Sequence, residues 1–277
     1  MSLFFRIIYI PFAFLAFGVI WAVGQDRLFY DAVRAEASGD IDNAINLYLE
    51  ASKIDHSANL HGNLANLYFK KEQFGRSILH FNRALILNPS DSTLKTNLGF
   101  ASDLAGIPLD KSDFSTAYFS SELHSYWLIL FSVVFWIGLL TLAYISFFRV
   151  NKKSLIYILP FWILILILCF YGTHQSSLEN RQLERKIIVY NSNLSADLNK
   201  TNLVPLRRFA GESNSANTNV LVGQSLFIDL NSENKPRSHQ VSDNSVWYLV
   251  RDKSGKKKGW IRENEFGWVI PPKKRNL

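Results

Sequence analysis

The sequence predicts a multidomain membrane protein with an all-α repeat solenoid, a two-helix transmembrane hairpin and a small C-terminal all-β barrel. Three observations predict it. Two uncharged apolar runs, 126–148 and 155–171, stand six residues apart in mid-chain. Before them, a helical pattern returns after 33–34 residues. After them come short β-rich runs separated by turn residues.

The apolar runs come first because they divide the rest. At 1.5 Å per residue the first spans roughly 34 Å and the second roughly 25 Å, against a hydrocarbon core of about 30 Å. Soluble core helices are rarely apolar on every face. The intervening loop 149–154 carries Arg149, Lys152 and Lys153 and no acid, which places it in the cytoplasm. Both flanks then lie on the opposite side. Tyr126, Trp127 and Tyr171 sit where interfacial aromatics belong. Pro160 interrupts the second run and predicts a kink.

The N-terminal segment 1–24 accounts for export of the first flank. Arg6 precedes an apolar stretch from Ile7 to Val23, and Ala22 and Gly24 precede the polar Gln25-Asp26. This is the shape of a secretory signal, cleaved near Gly24 or retained as an anchor. Either form exports residues 25–125, of which 108–125 form a linker.

Cofactor chemistry is not expected. The single cysteine, Cys169, lies inside the second apolar run. The six histidines show no metal-ligand spacing and read as solvated side chains. No P-loop, nucleophile elbow, HExxH or carboxylate pair is visible, so the expectation is a protein without enzymatic activity.

Within 25–107, Ile45, Tyr48 and Ala51 recur as Ile78, Phe81 and Ala84, and Ala44 recurs as Ser77. Asn63-Leu64-Ala65 returns as Asn97-Leu98-Gly99. The spacing predicts helices over 26–38, 41–54, 58–71, 74–87 and 92–105, with Gly39-Asp40, Asn88-Pro89 and Gly106 as breaks. Small residues at the helix crossings let neighbours approach closely. An unrelated helical bundle is the alternative. Helix-turn-helix units of this length resemble tetratricopeptide repeats, about two and a half of them. The resemblance implies a concave groove for a partner, lined by Phe29, Val33, Glu36, Asn59, Asn66, Phe69, Lys70, Thr96, Phe100 and Asp103. A carboxylate clamp is not expected, because Gly62 and Thr96 stand where basic residues would be needed. Phe69 and Phe100 are expected to point into the groove, with packing against a neighbouring helix as the alternative.

After a polar stalk, 172–185, strands are predicted at 186–190, 202–206, 220–228, 246–250 and 259–261 within a barrel spanning 186–270, followed by a basic tail, 271–277. The hairpin around Asp252-Lys253-Ser254-Gly255 and Gly259-Trp260-Ile261 resembles bacterial SH3-like domains. Trp247 keeps the place of a ligand-face aromatic. The Pro and Tyr of proline-rich-peptide binders are replaced by Arg262 and Glu265, so such ligands are not implied. Trp260 is expected to be buried and Trp247 more exposed, with Tyr248 facing inward.

Charge is split. Residues 25–124 hold 9 basic and 13 acidic residues, and residues 172–277 hold 17 and 10. Export excludes a nucleic-acid partner for the basic part and leaves anionic headgroups, an acidic protein or plain solvation. The order of signal, repeats, membrane hairpin and SH3-like barrel resembles the BatE-type proteins of bacterial aerotolerance operons. It implies an adaptor in the cytoplasmic (inner) membrane facing the periplasm, which binds other membrane or periplasmic proteins, among them Bat proteins with von Willebrand A domains. Peptidoglycan recognition through the barrel is the alternative.

Overall fold

The computed structural model describes residues 27–108, 123–147, 155–190, 202–211, 216–241 and 244–272. The expected signal segment, the loop 149–154, most of the linker and most of the basic tail lie outside them. The chain divides into two compact units. One combines the N-terminal helices with Ile187–Val269, and the other holds the two apolar helices.

The N-terminal helices are α1 (27–37), α2 (Ile41–Ile54), α3 (Ala58–Lys70), α4 (Phe74–Leu87) and α5 (Ser92–Leu104). Each boundary falls within one residue of the expected one. Local chemistry explains the starts. Asp40 accepts from Asn43 N–H, Ser57 from Leu60 N–H, and Asp91 from Thr93 and Leu94 N–H. These caps satisfy donors that a helix start leaves orphaned. The recurring small residues do sit at crossings: Ala44, Ser77 and Ala84 are fully buried, as are Tyr48 and Phe81 beside them.

Among the described residues, eight strands follow. They are β1 (Lys186–Val189), β2 (Leu203–Arg207), β3 (Ala216–Leu221), β4 (Ser225–Ile228), β5 (Ser238–Gln240), β6 (Val246–Arg251), β7 (Lys258–Arg262) and β8 (Phe266–Trp268). The sheet is antiparallel in the order β3-β2-β7-β6-β4-β1-β8, and β5 also pairs with β6. Its core is Ile187, Val189, Leu206, Val220, Leu226, Ile228, Val250 and Ile261 with their neighbours. The expected run 220–228 is two strands, broken by a turn at Val222-Gly223. The wholly exposed, polar β5 and the three-residue β8 were not foreseen.

The expected exposure of two tryptophans is reversed. Trp247 has no exposed surface, whereas Trp260 is half-buried. Alternation itself holds, since Tyr248 lies opposite Ile261 and packs against the sheet core. The inward place on β7 belongs to Gly259, which pairs with Val250 and lies against Leu206; Trp260 therefore points outward. Trp247 is also on the outer face, but that face is covered there. The Arg207 guanidinium carbon stands 4.7 Å from its ring centroid, and its Nε1–H donates to Ser245 Oγ at 2.9 Å. Arg207 is in turn held 3.6 Å from Glu265.

Helices and sheet share a core. Ile188 of β1 and Val269 after β8 belong to the same buried cluster as Ile78, Leu79, Phe81 and Ala84 of α4. Gly75 permits the approach, because a Cβ there would lie 2.7 Å from Val222 Cγ1 and 2.8 Å from the Val189 carbonyl oxygen. Gly267 does the same on the sheet side, where a Cβ would run into Leu79 Cδ2. Arg76 lies over the rings of Tyr68 on α3 (5.6 Å) and Tyr190 after β1 (5.3 Å).

The second unit contains α6 (His124–Phe147) and α7 (Leu155–Leu183), both long and apolar enough to span a membrane. α7 runs through the segment expected as a separate stalk. The pair is antiparallel: Trp162 Nε1–H donates to the Val134 carbonyl at 2.9 Å, and Trp127 packs on Gly172. Apolar side chains such as Ile129, Trp136, Leu140, Leu164 and Phe170 remain exposed.

Candidate partner-binding face and the buried histidine pair

The residues expected to line a groove lie on α1, α3 and α5. Two cross-helix contacts show that these helices run side by side. Lys70 Nζ donates to Glu36 Oε1 at 3.0 Å, from α3 to α1. Asn97 Nδ2 donates to Asn66 Oδ1 at 3.4 Å, from α5 to α3. Glu36 and Lys70 are separated by 34 residues, one period of the sequence repeat. Val33, Asn59, Thr96, Phe100 and Asp103 are exposed, with Phe100 at 60%. Phe29 is half-buried, its ring edge-on to Tyr48 at 5.6 Å. Phe69 is also half-buried; it packs on the core and meets Phe74 edge-on at 5.7 Å. It is a wall residue more than a free contact, so Phe100 is the aromatic that the face presents. Exposed Tyr30 and Leu104 were not singled out in sequence, and they add apolar surface on α1 and α5.

Trp247, expected on a ligand face of the sheet, offers none, because no part of it is exposed. The basic run after β6 is largely engaged within the chain. Arg251 Nε and Lys258 Nζ each lie 2.9 Å from Asp229, and Lys257 Nζ donates to the Asn219 carbonyl at 3.1 Å. Burial would raise the pKa of Asp252, but hydrogen bonds from the Ser254 hydroxyl and the backbone N–H of Lys257, Gly255 and Lys256 hold it below its ordinary value. That carboxylate organises the turn.

Two histidines read as solvated are buried. His61 on α3 and His80 on α4 are 2% and 4% exposed, with Nδ1 atoms 3.2 Å apart. At that distance one ring donates and the other accepts, so at least one ring is neutral. Burial, with Arg83 and His56 nearby, pushes His61 down to about 3. Burial and Arg83 also carry His80 well below its usual value. His56 stacks on His61 at 5.5 Å, and Tyr68 on His80 at 5.4 Å. The sequence did carry a signal. His61, Leu64, Ala65 and Tyr68 hold one helical phase, as do Ser77, His80, Phe81 and Ala84. Among the described residues no group of three or more His, Cys, Asp or Glu converges to hold a metal ion.

No family model matches this chain, and no curated protein matches it in sequence.

Proposed function

We propose that the protein is a membrane-anchored adaptor whose α1–α3–α5 face binds a protein partner outside the cytoplasm. The observation that carries this reading is the exposed face itself. It is held in line by Glu36–Lys70 and Asn66–Asn97 and presents Val33 and Phe100, while the sheet packs against α4. Helix pairs of this period read as tetratricopeptide-like repeats, and the small antiparallel sheet as an SH3-like module. The order of the parts favours an assembly of the Bat type, with von Willebrand A domain proteins as partners. An apolar and amide-lined face suits a helix or an extended peptide.

The shared core supports one topology. α1–α5 precede the apolar pair and the sheet follows it, yet Ile188 and Val269 pack among α4 residues. Segments packed together lie on one side of a bilayer, which favours an even number of crossings by the apolar helices. The basic loop at Arg149, Lys152 and Lys153 favours that side being the periplasm.

Two experiments test the reading. A cysteine at Ser213 should react with an impermeant thiol reagent in intact spheroplasts, and one at Asn151 should not; the reverse pattern sinks the topology. Photo-crosslinking residues at Val33 and Phe100 in native membranes should trap a protein that one at exposed Ile54 on α2 does not. Equal trapping at all three positions would overturn the face.

A further inference from the structure

We propose that the His61–His80 pair is an acid-sensitive latch that keeps α3 and α4 together and, through α4, keeps the helices joined to the sheet. The pair bridges the two helices at 3.2 Å and has almost no contact with solvent. A single Nδ1–H···Nδ1 bond can form only while at least one ring is neutral. The surroundings penalise any added proton. From the α2–α3 connection His56 faces the pair, and from α3 Tyr68. From α4 come the cations Arg76 and Arg83. From the sheet Tyr190 reaches the same cluster, with Glu263 acting on Tyr190. α5 brings Leu94, and its Lys95 and Asp103 are exposed; α2 keeps Asp42 and Glu50 exposed. No carboxylate stands among the groups acting on either histidine.

α4 also carries the sheet, through Gly75, Leu79 and Arg83. Parting α3 from α4 therefore loosens the surface on which the sheet rests.

The sign follows from linkage. Both folded pKa values lie below the ordinary histidine value of about 6.5, so the closed form binds fewer protons than the open one. Stability is fully present above about pH 6.5 and is lost as pH falls below it. Each histidine lowers the closed-to-open ratio about tenfold per pH unit. For His61 the loss runs down to about 3. Two histidines together give about a few hundredfold between pH 6.5 and 5.0.

The test uses the full chain in nanodiscs with Cys169→Ser. Spin labels are placed at Asn88→Cys after α4 and Asn264→Cys between β7 and β8, both exposed. The distance distribution should be narrow at pH 7.5, broaden reversibly by pH 5.0, and stay narrow at pH 5.0 in His61→Asn/His80→Asn, whose amides keep a bond without titrating. A distribution unchanged to pH 5.0 in the native sequence overturns the latch. So does equal broadening in the double variant. If the double variant does not fold at pH 7.5, His61→Asn alone decides: the broadening must move to lower pH, and an unmoved midpoint overturns the proposal.

Discussion

Arg83 of α4 donates two hydrogen bonds to one acceptor, the backbone carbonyl of Trp268, from Nε at 3.1 Å and Nη2 at 2.7 Å. The two residues are 185 positions apart and lie on opposite sides of the apolar pair in sequence. A part-buried carbonyl met by a forked cation is a strong, directional tie. Arg83→Met keeps much of the stem and removes both donors. It should destabilise the helix–sheet unit by about 1.5–3 kcal/mol, the range for a hydrogen bond to a charged group. Arg83→Lys should recover only part, since an ammonium lacks the fork. Hydrogen exchange at β8 in the full chain is the check; unchanged protection in Arg83→Met would show the tie to be dispensable.

Gly75 gives a test of opposite sign to ordinary helix propensity. In an exposed helix, Gly→Ala stabilises by about 1 kcal/mol. Here the added Cβ would strike Val222 Cγ1 and the Val189 carbonyl, one of them backbone that cannot rotate away. Gly75→Ala should therefore lower the unfolding midpoint. Gly62→Ala, whose new methyl meets only the end of Leu94 at 3.2 Å, should lower it far less.

Trp247 and Trp260 exchange the exposures expected of them from the sequence. Trp247→Ala should cost about 3–5 kcal/mol, as for other buried aromatics. Trp260→Ala should cost clearly less, because that ring is half-buried beside His239 at 6.4 Å. Denaturant titration of both variants decides the order.

Asp229 is the shared counter-ion of Arg251 and Lys258, and its carboxylate is 10% exposed while the cations are about half exposed. Asp229→Asn leaves two like charges side by side. Solvent screens much of that, so the loss should be about 1 kcal/mol and shrink with added salt. A loss that does not vary between 50 and 500 mM salt would assign the effect to packing.

Helix positions were legible because apolar residues at i, i+3, i+4 and i+7 and polar caps leave a local record. Asp40, Ser57 and Asp91 mark starts that the structure keeps. Val33, Asn59 and Phe100, which the repeat resemblance implied for a groove, are exposed on α1, α3 and α5. What sequence did not disclose was tertiary. His61 and His80 sit in apolar phase, but only the approach of α3 to α4 makes them partners. Trp247 is buried by Arg207, a contact between strands 40 positions apart. β5 and β8 carry too few residues to show alternation, and they exist because β6 and β1 offer them edges.

The core shared by α4, Ile188 and Val269 also sets a schedule for biosynthesis. When the ribosome has finished α5, Ile78 and Leu79 have no sheet to lie against. The two apolar helices must then be made before β1 and β8 emerge. At 5–20 residues per second the wait is roughly ten to thirty seconds. For that interval the nascent helices expose a greasy flank to chaperones and proteases. Synthesis of the apolar pair thus becomes a step on which maturation of the earlier segment depends, and a chain stalled there would leave that flank uncovered.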